Sequence, residues 1–308
     1  MSDLGFITIA RRDTSYSEMA VDLALSLRDF CSHPIALVAD DHNAAFVQGL
    51  YPRVFDAIIP LPERYQAGTG VAAKYAMAEL TPFSRTIFID ADTLVLSAMP
   101  DLLQEAARAD VLMMGVYCDA RSTLVHHGFS VRKLIATCGL DRYFKNHSGA
   151  FAFETKSGRD FFNECLKTYE DELCDLRRRS RIRRVEDEIP LGIVGGRRGV
   201  TIMREPFPIY WSRELAALRA DNRWKPLCHF HNAPAPSALE WLMREVSQRR
   251  RAHGLPAQST AAWLRKARSS QRKKALGSGI VSLYRAGLSL TNFAHRAPDE
   301  ATAAPPPL

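Results

Sequence analysis

The sequence predicts an α/β fold, with a mostly parallel central sheet flanked by helices and a basic helical C-terminal tail. Three observations carry that reading. Short apolar, β-branched runs alternate with amphipathic helical stretches from the first residues onward. Several of those runs end in polar or acidic residues. The alternation then stops at a Pro-Ala-Pro sequence ending at Pro236, after which the chain becomes basic.

The elements follow in order. Residues 5–10 (GFITIA) form an apolar strand. Ser15 and Glu18 have capping-box spacing, and Met19, Ala20, Leu23, Ala24, Leu27 and Phe30 then recur at helical intervals. Residues 34–39 (PIALVA) make a second strand, 43–50 a helix and 57–60 a third strand. Gly68 and Gly70 open a helix that runs to Leu80, where Thr81-Pro82 closes it. Residues 86–96 (TIFIDADTLVL) are a core strand, an acidic interruption and a resumed apolar pattern. Pro100 starts another helix near its first turn, and 111–117 is a further strand. Residues 147–153 (HSGAFAF) read as a strand after a glycine-containing turn, and 158–176 as a long helix.

The chemistry centres on Asp90 and Asp92. Ile87, Phe88 and Ile89 precede the pair and the apolar run 93–96 follows it, so two carboxylates stand at the end of a buried strand. Ionised carboxylates there are costly unless protons or a cation compensate. A hard divalent ion, Mn²⁺ or Mg²⁺, takes such oxygens and shares itself with substrate phosphates. Two solvated aspartates in a strand-end turn are the plainer alternative, less apt for a pair in an apolar frame. Lys74 can reach a diphosphate as a point charge, or be a solvated helix lysine. His229 and His231 face one side if their segment is extended, and either can supply a third ligand through neutral imidazole. Asp187 and Glu188 are candidates for orienting an acceptor or stabilising positive charge, or serve as helix N-terminal acids. Ser148 and Gly149 allow close backbone approach to a ligand, or a tight turn.

Composition excludes some classes. At 308 residues, 46% hydrophobic and 24% charged, the chain is long enough for a large core and is not disordered throughout. The net charge of +7 belongs to the tail: between Arg244 and Lys274 ten basic residues face one acid, Glu245. A boundary is placed near 236, giving an α/β body over 1–236, a basic helical extension over 237–297 and a disordered tail over 298–308. The polybasic stretch followed by apolar residues, 265–290, suits peripheral contact with an anionic membrane. No interleaved aromatic and basic pattern supports nucleic-acid binding, and none is expected. Six arginines fall within 177–184, as a solvated helix end or a contact to an anionic ligand. The six scattered cysteines lack CxxC spacing and suit free thiols in a reducing compartment. Asp3 and Arg11-Arg12 speak against a cleaved signal peptide, so a cytoplasmic protein is expected, peripheral to the inner face of the membrane where the tail engages it.

These residues together carry a resemblance. FITIARRDTSY, Lys74 before LTPFSR, FIDADTLVL, NHSGAFAF, EDEIPL and HFHNAP occur in the order found in the GT-A-fold retaining glycosyltransferases of family 8, the glycogenin and bacterial lipopolysaccharide galactosyltransferase type. The chain resembles that family from about Gly5 to Pro236, most specifically between Lys74 and Asp90. The resemblance implies a Rossmann-like GT-A catalytic domain over 1–236, a UDP-sugar donor and Mn²⁺ on its diphosphate. It implies Asp90 near ribose and metal, Asp92 and His229 as metal ligands, and Lys74 on the diphosphate. Thr8, Ala10 and Tyr16 fall in the uridine-binding region, and Asp187 near the transferred sugar.

Three positions depart from the family pattern. Glu188 stands where the family has Gln, His147 where it has Asn, and Asn232 follows a second histidine where Gly is typical, so His229 and His231 compete as ligand. The implied activity is retaining transfer of a sugar to a glycan or lipid-linked acceptor by front-face attack. Two other readings compete with it. An aspartyl-phosphate phosphatase also places a carboxylate pair after an apolar strand, but wants a hydroxyl or β-branched residue where this chain has Leu94. The other is a non-catalytic nucleotide-sugar-fold binding protein.

Overall fold

The computed structural model describes residues 3–66, 71–173, 186–211, 214, 218, 223–230, 236–256, 263 and 265. A seven-stranded sheet forms the centre. Its strands are β1 (Leu4–Ala10), β2 (Ile35–Ala39), β3 (Ala57–Pro60), β4 (Arg85–Ile89), β6 (Val111–Cys118), β9 (Tyr143–Glu154) and β10 (Thr201–Ile202), in the order β10-β6-β9-β4-β1-β2-β3. β1, β2, β3 and β4 are parallel, and β9 alone runs against its neighbours β4 and β6. The carboxyl ends of β1 and β4 therefore open on one edge, where ligands of such sheets sit.

Alternation along the strands builds two cores. Phe6, Leu37, Ile87, Ile89 and Leu112 face one side, against helix α1 (Thr14–Arg28), α2 (Asp41–Leu50) and α6 (Pro100–Ala106). Ile7, Val38, Phe88, Met113, Phe151 and Phe153 face the other, against Tyr75, Met77, Phe161, Phe162, Leu191 and Val194. The latter belong to α4 (Val71–Tyr75), α5 (Met77–Leu80), α8 (Thr155–Lys167) and α9 (Glu188–Arg198). Both faces of the sheet are covered, as a mostly parallel sheet requires.

The local details differ from the sequence expectations in three places. α1 begins at Thr14 and is capped by Asp13, whose side chain accepts from Ser15 N; Ser15 is already inside the helix. The expected helix into Leu80 is broken into α4 and α5 at Ala76, and its Gly68-Gly70 opening lies outside the described residues. α8 passes into a π-helical turn at Thr168–Glu172.

A second sheet is small but positions the chemistry. β5 (Thr93–Val95) pairs antiparallel with β11 (Leu227–His229), His229 opposite Thr93. Helix α10 (Pro236–Ala252) covers this sheet, so Leu94, Leu96, Cys228 and Phe230 pack with Trp241, Leu242, Val246 and Trp263. Arg250 on α10 is fully buried and pairs with Asp22 and Glu18 of α1, while Trp263 Nε1 donates to Asp22 at 2.7 Å. Cys31, Cys118, Cys165 and Cys228 are free thiols. The arginine run at 177–184, His231, the 265–290 stretch beyond Arg265 and the 298–308 tail lie outside the described residues. No helix among the described residues is long and apolar enough to cross a membrane.

Candidate active site

Asp90 and Asp92 sit where the chain passes from the large sheet to the small one. Asp90 N donates to Gly149 O at 2.9 Å, prolonging the β4–β9 ladder by one residue. Asp92 O accepts from Phe230 N at 2.8 Å, at the end of the β5–β11 pairing. Ala91 between them is buried in the core, so the turn is anchored and the two carboxylates point at one spot. His229 arrives there from β11: its Nε2 lies 3.1 Å from Asp92 Oδ1 and 3.6 Å from Asp90 Oδ2.

Lys74 closes the other side. Its Nζ is 2.9 Å from Asp90 Oδ1, 2.9 Å from Asp187 Oδ2 and 3.1 Å from Ser148 Oγ. Burial alone would drive this ammonium's pKa down, but Asp187 and Asp90 together outweigh it and hold the pKa above the ordinary lysine value. Asp187 is placed as the residue preceding α9, with its carbonyl accepting from Tyr75 OH at 3.0 Å. Burial pushes the Asp187 carboxyl up, yet Lys74 and the Ser148 hydroxyl bring it below the usual carboxylate range. Asp90 is shifted the opposite way. Its burial, with the neighbouring Asp92 and Asp187, exceeds the help from Lys74 and His229, and its pKa is raised.

Ser148 and Gly149 reach this spot through a bulge in β9. Met113 of β6 faces Phe151 while Met114 faces His147, so residues 148–150 drop out of that ladder, although Ala150 still pairs with Ile89. Gly149 has a steric reason to be glycine. A Cβ there would stand 2.6 Å from His147 Cε1 and 2.8 Å from His229 Nδ1. His147 packs edge-on to both Trp211 and His229 and accepts from Gly149 N through Nδ1.

Asp90, Asp92 and His229 offer two carboxylates and an imidazole with ligand atoms within 4.8 Å of one another. This donor set fits a divalent cation. Burial, with Asp92 and Asp187 alongside, makes the ionised form of Asp90 costlier than usual, and a cation beside it lowers that cost.

Glu188 lies against the same Ser148. Its Oε1 accepts from Ser148 N at 2.9 Å, and its Oε2 receives His126 Nε2 at 3.0 Å and His127 Nε2 at 2.5 Å. These two histidines come from a hairpin, β7 (Val125–His126) and β8 (Phe129–Ser130), that the sequence analysis passed over. Its one legible signal was His127-Gly128, a pair with the spacing of a two-residue hairpin turn. The residues expected at the uridine lie on β1 and at the start of α1. Thr8 and Ala10 are fully buried on β1, where neither side chain hydrogen-bonds to the cluster. Tyr16 is half-exposed in the first turn of α1.

No family model matches the chain, and no curated protein matches it by sequence. Among solved structures, it is similar to an active-site mutant of LgtC in which glutamate replaces a glutamine. The TM-score is 0.52 at 14% identity, covering 79% of this chain and 95% of that one. A second LgtC structure, of that galactosyltransferase with donor and acceptor sugar analogues, gives 0.50 at 12% identity over 80% and 95%. At these identities the likeness establishes the fold, and it is the GT-A fold.

Proposed function

We propose that this chain is a metal-dependent glycosyltransferase that moves a sugar from a UDP-sugar to a glycan or lipid-linked acceptor, with retention at the anomeric carbon. One observation carries the reading. At the carboxyl end of a parallel sheet, a carboxylate pair and a histidine adjoin a lysine that is clamped between Asp90 and Asp187. The GT-A fold supports it, as does a structural neighbour solved with donor and acceptor sugar analogues.

Asp90, Asp92 and His229 would hold Mn²⁺ or Mg²⁺, which when bound neutralises diphosphate charge as a Lewis acid. The chain's own residues do the rest. Lys74 is fixed, largely buried and charged, so it stabilises the negative charge that grows on the departing diphosphate without reorganising. Asp187 keeps that ammonium in place from the far side and, being ionised, offers negative charge where the sugar carbon becomes oxocarbenium-like. Ser148 binds both Lys74 and Asp187 and so fixes the distance between the cationic and anionic halves of the site. The acceptor hydroxyl attacks from the face the diphosphate leaves, and the leaving phosphate takes its proton.

The phosphatase alternative is not favoured, because Leu94, four residues after Asp90, is buried in β5. The test is a donor screen. UDP-sugars are offered with Mn²⁺, with Mg²⁺ and with chelator, to the wild type and to Asp92→Ala, and the product anomer is read by proton NMR. Turnover that survives both chelation and Asp92→Ala would sink the metal-site reading; an inverted product would sink retention.

A further inference from the structure

Glu188 is held by more groups than a helix N-terminal acid requires. His126 is buried and bonds through both ring nitrogens, Nδ1 to Tyr143 OH at 2.7 Å and Nε2 to Glu188 Oε2 at 3.0 Å. His127 reaches the same oxygen from the first corner of the hairpin turn, where its φ is 47° and that of Gly128 is 86°. Positive φ at both central residues defines a tight two-residue turn, and positive φ is uncommon for any residue but glycine. Backbone held in a disfavoured region by its surroundings marks a place where a side chain is aimed.

Three ligand-type side chains meet here, and they lie close enough for a metal ion. The Tyr143 hydroxyl decides otherwise. Tyr143 is fully buried, and among the described residues His126 Nδ1 is the hydrogen-bond partner of its hydroxyl. The phenol does not ionise, since burial lifts its pKa far above the usual value. Its proton must therefore go to Nδ1, because a buried unsatisfied O–H is costly. A neutral His126 then carries its own proton on Nε2 and donates it to Glu188. A metal ion on Nε2 would require His126 to give up that proton, leaving an imidazolate, or to turn the tyrosine hydroxyl away from Nδ1.

We propose that His126 and His127, with Tyr143 behind them, are positioning residues that clamp Glu188 as a carboxylate beside the transfer site. The two imidazoles and the Ser148 amide occupy its oxygens from two sides. Burial would raise the Glu188 carboxyl, but His126 and His127, aided by His147, bring it well below the ordinary range. The clamp also keeps Glu188 off Lys74. Ser148 touches both, at 3.1 Å from Lys74 Nζ and 2.9 Å from Glu188 Oε1, so a released glutamate would have the lysine within reach. The inference rests on the glycosyl-transfer reading for its catalytic consequence, and on geometry alone for the clamp.

The test uses the full chain with ¹³C-labelled glutamate carboxyls, Glu188 being assigned by its loss in Glu188→Gln. His127→Asn removes one donor and places at the corner a residue the turn prefers. Tyr143→Phe frees His126 to hold its proton on the wrong nitrogen. The titratable groups facing Glu188 and the turn are His126, His127, Tyr143, His147, Glu186 and Asp187, with Lys74 across Ser148, and none but the substituted residue changes in the first variant. In both variants the Glu188 titration midpoint is expected to move to higher pH, and the acid limb of the kcat profile with it. The kcat should fall roughly tenfold to a hundredfold, with donor KM within about twofold, on the loss of one hydrogen bond to a charged group. An unmoved Glu188 midpoint in both variants overturns the clamp. So does one equivalent of Zn²⁺ bound by Asp92→Ala and lost on adding His127→Asn. If the wild type transfers no sugar at all, the transfer reading fails, and the carboxyl titration still decides the clamp.

Discussion

Individual residues at the site divide into those whose role follows from charge and those whose role follows from shape. Asp92 belongs to the first kind. It is nearly buried, and its carboxylate faces His229. Asp92→Ala is expected to abolish Mn²⁺ binding, read directly by manganese paramagnetic resonance, while leaving the circular dichroism spectrum intact. Gly149 belongs to the second. Gly149→Ala would force a methyl onto His147 and His229, so His229 must move or the β9 bulge must open. The expected outcome is Mn²⁺ affinity weakened by about tenfold or more, the loss typical when the groups orienting a ligand are disturbed. Unchanged affinity would mean that His229 is no ligand. The aspartates and Lys74 were legible in the sequence because carboxylates at a strand end and a lysine sixteen residues upstream are local patterns. The pairing of Lys74 with Asp187, 113 positions away, was not local, and only the fold displays it.

Elements carry the carboxylates that cap them, and this sets the response to acid. Asp13 accepts from Ser15 N ahead of α1, Asp40 from Asn43 N ahead of α2, and Glu154 from Ser157 N ahead of α8. All three have pKa values below the ordinary carboxylate range. For Asp13 the Ser15 amide is the main cause; for Asp40 and Glu154 burial acts upward and is outweighed by backbone and side-chain hydrogen bonds. A carboxyl with a depressed folded pKa adds stability above its unfolded value, and that stability is lost as pH falls through the folded value. Urea midpoints are thus expected to be flat near neutrality and to fall below the normal titration range of aspartate and glutamate. Asp40→Ala should remove about 1 kcal/mol at neutral pH and less in acid, where the wild type has already lost the cap. A loss that stays constant with pH would contradict the capping account. The strands and most helices were legible from periodicity, since alternation and helical spacing are properties of the chain itself. The first helix start was misjudged because Ser15 matches a capping box, yet Asp13 two residues earlier accepts the same kind of backbone N–H. The β7–β8 hairpin was missed because each strand is two residues long, too short for any alternation to register.

At the scale of the whole molecule, the basic C-terminal helix bears on the site through the small sheet. His229 hangs on β11, β11 on β5, and the other side of that pair is covered by Trp241, Leu242 and Val246 of α10. What fastens α10 to the body is a buried polar knot. Arg250 donates to Asp22 Oδ1 at 2.6 Å, to Glu18 Oε2 at 2.6 Å and to Tyr51 OH at 3.1 Å. Buried pairs of this kind add little net stability over an apolar replacement of the whole set, but removing one partner strands the other charges. Arg250→Met leaves Asp22 and Glu18 facing each other without a cation, and is expected to destabilise the protein by about 3–5 kcal/mol in urea titrations. Adding Asp22→Asn and Glu18→Gln should recover part of that loss, because the stranded charges are then gone. The site should report the same event. With α10 loosened, the β5–β11 pair loses its cover, and the rise in melting temperature on adding UDP and Mn²⁺ should shrink in Arg250→Met and return in the triple variant. A ligand-induced rise that is identical in all three proteins would show that α10 is fastened to the fold but not coupled to His229.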